Sequence, residues 1–422
     1  MSSQPITVFP REPQWQGEST HQIPFLAYTS DELYQRELER FFYKGHWCYV
    51  GLEAEIPEPG DFKRTVIGER SVILTRGLDG RIHVVENVCA HRGMRFCRER
   101  HGNVRKTGFT CPYHQWNYSI EGDLRGVPFR RGVRQEGEML GGMPADFKLE
   151  ENGLTKLKVA TRGGVVFASF DAEVEPFEDY LGPTILRYFD RLFNGRKLKV
   201  LGYNRQRIPG NWKLMQENIK DPYHPGLLHT WFVTFGLWRA DNKSQLRMDD
   251  RHRHAAMIST RGAAGKSEQV TQVASFKESM KLHDPSFLDI VPEPWWEGPT
   301  AVMTTIFPSV ILQQQVNSVS TRHIQPTGHG QFDFVWTHFG FEDDDEAMAQ
   351  RRLRQANLFG PAGFVSADDG EVIEFSQQAF ESKPFHRTLA ELGGRGVEDT
   401  EHMVTETLIR GMYRYWRDVM EA

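Results

Sequence analysis

The chain has 422 residues, more than a single hydrophobic core usually serves, so two domains are expected. Apolar residues make up 39% and charged residues 25%, with a formal charge of −5 and no Lys/Arg block; this excludes a disordered chain and a nucleic-acid binder, which must neutralise phosphates. The start, Met1-Ser-Ser-Gln-Pro5, has no basic stretch ahead of an apolar run, and no segment holds roughly 18 consecutive apolar residues, so a cytoplasmic protein without membrane contact is expected.

Residues 1–44 form an amino-terminal segment with scattered prolines and a charged, helix-like run over Ser30–Phe42, expected to pack on a neighbour or a domain edge. Short β runs begin near residue 45. Ser71–Arg76 and Arg81–Val88 flank Leu78-Asp79-Gly80, and the Asp-Gly step supplies the turn residues of a hairpin. That hairpin delivers Cys89.

Cys89-Ala-His91-Arg92-Gly93 is followed, after the 19 residues from Arg92 to Thr110, by Cys111-Pro-Tyr-His114-Gln-Trp116. Each half is a mixed Cys/His chelate. In a Rieske [2Fe–2S] centre two thiolates hold one iron and two imidazoles the other, so each loop serves both irons. A zinc site is the alternative, but zinc fingers pair Cys with Cys and His with His, whereas the first spacing here is Cys-x-His. Cys48 and Cys97 match no ligand spacing, and four cysteines are too few for a disulfide framework, so these two are expected in the core. Trp116 and Tyr118 either cover the cluster or simply pack.

Gly153–Ala160 and Val165–Phe170, flanking Thr161-Arg-Gly-Gly164, read as a second hairpin that closes the first domain, placed at residues 45–160. A helical pattern over Phe177–Phe193 and a strand over Leu198–Ile208 open the second domain, 161–422, and lead into Asn211–His229. There Met215, Glu217, Asn218 and Asp221 precede His224 and His229. On a regular helix, positions five apart lie about 140° apart, too far to share one ion. Pro222 and Pro225 bias the residues before them away from the α region, and Gly226 permits a further bend, so the helix breaks and the imidazoles converge. Two histidines and one carboxylate make the facial triad that leaves iron(II) open positions, and Asp368-Asp369 offers the carboxylate. The alternative is two polar histidines at a helix end, two among the 16 in the chain.

Beyond the histidines, Ala255–Ser259, Ala301–Phe307, Val310–Asn317, Val319–Gln325 and Phe332–Phe341 read as strands of one antiparallel sheet. Ser267–Leu288 reads as helix plus loop and Asp344–Leu358 as a charged helix. Gly360–Gly370 carries the acidic pair, and Asp399–Met420 reads as a closing amphipathic helix.

With Cys-x-His and Cys-x-x-His in one half and Glu217-Asn218-x-x-Asp221-x-Tyr223-His224-x₄-His229 in the other, the chain resembles the large (α) subunits of Rieske aromatic-ring-hydroxylating oxygenases over nearly its whole length. The resemblance implies an α+β protein: an all-β Rieske [2Fe–2S] domain and a helix-grip catalytic domain with a large antiparallel sheet. It implies Cys89, His91, Cys111 and His114 as cluster ligands, and His224, His229 and Asp369 on a mononuclear Fe(II), with Asp368 the fallback. It further implies that Asp221 bridges His114 of one subunit and His224 of its neighbour, in an α3 or α3β3 assembly with a small β subunit. Without the resemblance, Asp221 only caps or solvates the broken helix.

No Gly-x-Gly-x-x-Gly opens a βαβ unit, so NADH is used only indirectly, through a partner ferredoxin reductase and ferredoxin. The wording of Asn211–Trp231 and Gln355–Glu371 is similar to members that hydroxylate salicylate at C5 to give gentisate. The alternatives are 1,2-dioxygenation of an ortho-substituted benzoate such as anthranilate or a 2-halobenzoate, and, in another class, a Rieske electron carrier without oxygenase activity. A benzoate entering an apolar cavity needs a fixed cation or several donors to offset its desolvation. Arg322 is the candidate, by its place after a β run and by its match to an arginine expected in carboxylate-using relatives; the alternative is an edge-strand arginine paired with a surface acid. Gln315, Met257 and Asn218 are the further candidate substrate contacts.

Overall fold

The structure, a computed structural model, describes residues 12–15, 17, 19–235, 242–261 and 280–421. By contacts the chain divides into Phe41–Phe177 and a second unit made of Met1–Arg40 with Glu178–Ala422.

The Phe41–Phe177 unit is built from short antiparallel sheets. Ile82–Glu86, Arg70–Arg76, Asp61–Ile67 and His101–Asn103 form one; Cys48–Leu52, Val165–Ser169 and Lys158–Arg162 another; Phe109–Thr110, Asn117–Tyr118 and Leu124–Gly126 a third. The first hairpin pairs Arg76 with Ile82, and Gly80 takes φ +82° in its turn, a conformation that side chains with a Cβ resist. The second pairs Arg162 with Val165 around Gly163 and Gly164, both at positive φ. Phe62, Ile73, Val85, Phe96, Phe109, Trp116 and Leu124 pack into a core that takes in Cys89, Cys97 and Cys111. Cys48 is buried on its own strand, and all four cysteines are unbridged thiols.

The second unit holds a seven-stranded antiparallel sheet in the order Leu198–Ile208, Gln331–Phe341, Ser318–Gly328, Val310–Gln315, Ala301–Ile306, Ala255–Thr260 and Lys243–Met248. The last strand, Lys-Ser-Gln-Leu-Arg-Met, is one that the sequence pattern did not announce. Two helices differ from expectation. The acidic pair lies inside a helix running Phe364–Ser382, and the closing helix begins at Thr407 rather than Asp399, because Thr400 instead bridges to Leu246 at the sheet edge. Of the stretch Ser267–Leu288, residues 267–279 lie outside the described residues; Pro285–Leu288 is a 3-10 turn. No helix among the described residues is long and apolar enough to cross a membrane.

The amino-terminal segment belongs to this unit. Phe25 and Tyr28 pack their rings on Phe380, at 4.3 and 4.7 Å between centroids. Glu37, on the helix Asp31–Glu37, is buried; it meets Lys213 Nζ at 2.7 Å and accepts hydrogen bonds from the indoles of Trp212 (2.8 Å) and Trp416 (2.7 Å). Three distant parts of the chain thus meet at the first turn of the helix Trp212–Lys220 that leads to the histidines. Breaking a buried pair leaves one charge uncompensated. Glu37→Gln is therefore expected to destabilise this unit by about 3–5 kcal/mol in denaturant unfolding, well beyond a surface substitution.

Candidate metal centres

In the first unit the two Cys/His loops share one backbone device. The Cys89 amide donates to Met94 O and its carbonyl accepts from Gly93; the Cys111 amide donates to Trp116 O and its carbonyl accepts from Gln115. The residue four after each cysteine is left-handed, Gly93 at φ +71° and Gln115 at φ +57°. These matching turns bring the His91 and His114 rings to 4.5 Å between centroids. Trp116 stacks on His91, its plane within 3° of parallel, and the Tyr118 hydroxyl lies 3.1 Å from Cys89 Sγ. Burial lowers the His91 pKa, helped by the nearby His114 and Arg92, which keeps its imidazole a neutral donor; its Nδ1 is buried with no hydrogen-bond partner.

In the second unit the helix Trp212–Lys220 is capped at its start by Asn211 and ends at Asp221. A 3-10 turn over His224–Gly226 follows, and His229 heads the short helix Thr230–Thr234. Asp369 comes in from the helix Phe364–Ser382. Among the described residues, His224, His229 and Asp369 form a group whose ligand atoms all lie within 4.8 Å of one another. Asp369 Oδ1 stands 3.4 Å from His224 Nε2 and 3.3 Å from His229 Nε2. Asp368, one helix position away, turns to the other side of His229, with Oδ2 3.1 Å from Nδ1. Consecutive helix residues point about 100° apart, so two adjacent aspartates reach opposite nitrogens of one ring. A carboxylate on the outer nitrogen of a ligating histidine fixes its tautomer and orientation.

Asp221 presents its main chain to His224. Its carbonyl oxygen lies 2.7 Å from His224 Nδ1, while its carboxylate Oδ1 accepts the amides of Tyr223 and His224. Asn218 Nδ2 donates to Asp369 Oδ1 at 3.0 Å. The site favours a cation. Burial works against charging His224, yet hydrogen bonds to the Asp221 and Asp369 carboxylates hold its pKa up at about 10, and Asp369 is held far below the usual carboxylate range.

Next to this group is a cavity lined by Met257, Met303, Gln315, Arg322, Phe232 and Val365, together with the triad. The Arg322 guanidinium is buried and stacks 3.9 Å over Trp336; its Nε has no partner, and burial brings its pKa down to about 9 against the opposing pull of Asp369. It is an interior residue with no carboxylate bonded to it among the described residues, not an edge arginine. The cavity measures ≈ 50 Å³, a third of the ~150 Å³ of an enclosed cavity that binds benzene, so a ring lying wholly within it needs room from the wall. Met257 and Met303, opposite one another in the sheet, are unbranched and adaptable enough to yield. Met303 and the orienting place of Asp368 escaped the sequence reading. For Asp368, helical phasing of the acidic pair was the available signal.

Residues 195–422 match the ring hydroxylating alpha subunit (catalytic domain) family, and residues 46–136 match the Rieske [2Fe-2S] domain. The chain therefore belongs to the ring-hydroxylating α-subunit family, and it is a Rieske non-haem iron oxygenase whose cofactors are a [2Fe–2S] cluster and a mononuclear iron. It is 78% identical over 414 residues to the large oxygenase component of salicylate 5-hydroxylase from Ralstonia sp., covering 98% of this chain and 97% of that protein. The anthranilate 1,2-dioxygenase large subunit of Burkholderia cepacia is 39% identical, over 93% of this chain and 91% of its own. The fold is that of naphthalene 1,2-dioxygenase from Rhodococcus sp., with a TM-score of 0.77 at 24% identity and 94% of each chain covered.

The donor sets fit both groups: two thiols and two imidazoles on paired loops for the cluster, and two imidazoles with one carboxylate for the iron. In metal titrations of the iron-free protein, Asp369→Ala is expected to abolish binding at the mononuclear site. Asp368→Asn is expected only to weaken it, by about 10–100-fold. Equal losses in the two variants are the result that contradicts the division of labour.

Proposed function

We propose that the chain is the large oxygenase component of an enzyme that hydroxylates salicylate at C5, giving gentisate. Near-identity in length and 78% sequence identity to the Ralstonia protein support the substrate. The observation that carries the reading is a buried arginine lining the metal-side cavity, its Nε without a hydrogen-bond partner among the described residues, which calls for an anionic ligand beside the methionine wall.

In this reading Cys89, His91, Cys111 and His114 hold the cluster, and His224, His229 and Asp369 hold the iron. When bound, these groups supply electron transfer and oxygen activation. The chain's own residues do the rest. Arg322 holds the carboxylate, and Asn218 and Asp368 keep Asp369 and His229 oriented. Met257 and Met303 form the adaptable part of the wall, and Gln315 offers a polar contact. Asp221, whose Oδ1 takes two amides of the turn and lies 3.8 Å from His224 Nδ1, turns its other oxygen to the His114 imidazole of a neighbouring subunit, in the α3 or α3β3 arrangement with a small β subunit. Electrons come from NADH through a ferredoxin reductase and a ferredoxin in the cytoplasm. Of the two oxygen atoms, one enters the ring and the other leaves as water. The second reading, 1,2-dioxygenation of an ortho-substituted benzoate, draws support from the 39% identity to the anthranilate enzyme. It needs C1 and C2, not C5, turned towards the iron.

Product analysis with labelled O₂ separates the two readings. Gentisate with a single labelled oxygen is the expected product; a catechol carrying the label excludes C5 hydroxylation. Arg322→Gln is expected to raise the salicylate KM by about 10–1,000-fold without altering the cluster spectrum. An unchanged KM means the carboxylate is held elsewhere.

The two metal assignments are separable by colour. Cys89→Ser or His91→Ala is expected to bleach the visible absorption, whereas His224→Ala keeps it and abolishes turnover, with iron falling from about three to about two per chain. Loss of colour in His224→Ala contradicts the assignment.

A further inference from the structure

The face of the sheet behind Arg322 holds more unmet polar atoms than a carboxylate accounts for. Alternate strand residues share a face, and the registers Gln313↔Ser320, Ser320↔His338 and Arg322↔Trp336 put all five of these side chains on the same one. Each is buried, and each leaves a polar atom without a hydrogen-bond partner: Gln313 Oε1, Ser320 Oγ, Arg322 Nε, Trp336 Nε1 and His338 Nδ1. Buried polar groups left unpaired cost free energy, so a cluster of them marks a place where a ligand or water completes the bonding.

The kinds of atom say what is missing. His338 Nε2 lies 2.8 Å from Asn204 Oδ1, an acceptor, so Nε2 carries the proton and Nδ1 presents a lone pair. Burial, with the positive charge of Arg322, pushes the His338 pKa down to about 4 and keeps the ring neutral. Gln313 spends its Nε2 on Gln315 Oε1 at 2.9 Å, leaving its own oxygen as the free end. Two neutral acceptors and a hydroxyl thus stand beside one cation. That set fits a ligand that offers a hydrogen-bond donor next to an anion.

Their order along the sheet matters as well. Arg322 lines the cavity at the triad and feels Asp369; Gln313, Ser320 and His338 do not line it, and His338 feels Arg322 instead. The acceptors continue the row that Met303 starts at the cavity wall: Met303 stands opposite Gln313, Gln313 opposite Ser320, and Ser320 opposite His338, so the row runs away from the cavity strand by strand. When C5 of salicylate faces the iron, the hydroxyl, para to C5, is the group at the far end of the ring.

We infer that Gln313, Ser320 and His338 form the subsite that receives the ring hydroxyl, with His338 Nδ1 its acceptor, so that these residues select an ortho-hydroxylated carboxylate over the bare benzoate. This rests on the salicylate reading above. The site opens to the ring as Met257 and Met303 yield, and the hydroxyl then completes bonds that the empty protein leaves unmade.

The test is anaerobic calorimetry on the holoprotein with salicylate and with benzoate, which lacks the hydroxyl. The protein is expected to bind salicylate at least ~10-fold more tightly. In His338→Leu and Ser320→Ala the preference is expected to shrink to about twofold or less through weaker salicylate binding, while the benzoate Kd stays as it was and reports an intact fold. Three results overturn the inference alone: no preference in the unaltered protein, a full preference retained in both variants, or an equal loss of affinity for both acids. If the unaltered protein binds neither acid, the salicylate reading fails and takes the subsite with it.

Discussion

Two imidazoles five residues apart meet one ion only where the helix that carries them ends between them, and the second unit is arranged around that ending. The helix Trp212–Lys220 stops at Asp221, whose φ of −101° and ψ of 92° leave the α region ahead of Pro222. The chain then makes one tight turn, and His229 heads a new short helix at a different angle. A stop of this kind is a weak point in a fold, because the freed groups need partners. Here the carbonyl of Asp221 is taken up by His224 Nδ1, and its carboxylate takes two amides of the turn. The same atoms that end the helix aim the first histidine. At the other end of the helix, Lys213 and Trp212 are tied to Glu37, so the break occurs at the end of a fixed rod.

The charges around this break are sorted by distance. Asp221, Asp368 and Asp369 surround the two imidazoles and make the near side of the cavity favourable to a cation. Arg322 stands across the cavity and makes the far side favourable to an anion. Were the guanidinium close enough to bond Asp369, each would cancel the other. Its stacking on Trp336 and its contact with Met303 accompany a position in which, among the described residues, no carboxylate is hydrogen-bonded to it. An aromatic acid is a molecule whose apolar ring spans such a gap.

What was legible in the sequence was local. The Cys/His loops are read from spacing alone because each is a single turn, and the structure shows both using the same backbone hydrogen bonds. The break at Asp221–Gly226 is read from two prolines and a glycine. Five strands of the large sheet stand out by their β-branched and aromatic content, as does Leu198–Ile208. Lys243–Met248 does not: Lys243, Gln245 and Arg247 alternate with the buried Ser244, Leu246 and Met248 on an edge strand, and only pairing with Ala255–Thr260 makes it a strand. The closing helix was overextended because the charged run before Thr407 is compatible with helix, and the bridge from Thr400 to Leu246 is a tertiary fact. Choosing between Asp368 and Asp369 needed either a family pattern or the phase of the helix against the histidines. The unpaired nitrogens of Arg322 and His338 are beyond any one-dimensional reading, since they depend on the register of strands far apart in sequence.

The two thioethers in the cavity wall set how molecules are sorted. Since the space beside the triad is smaller than an aromatic ring, a ring that lies wholly within it takes its room from Met257 and Met303. A small anion such as acetate is attracted to Arg322 but does not prop the wall open, and a large apolar ring props it open but leaves Arg322 buried without a counter-charge. Bulk and charge are thus required together, and only a solute with both meets the two demands of the wall. Flexible side chains, which cost little to move, set that threshold low enough for a single ring to cross it.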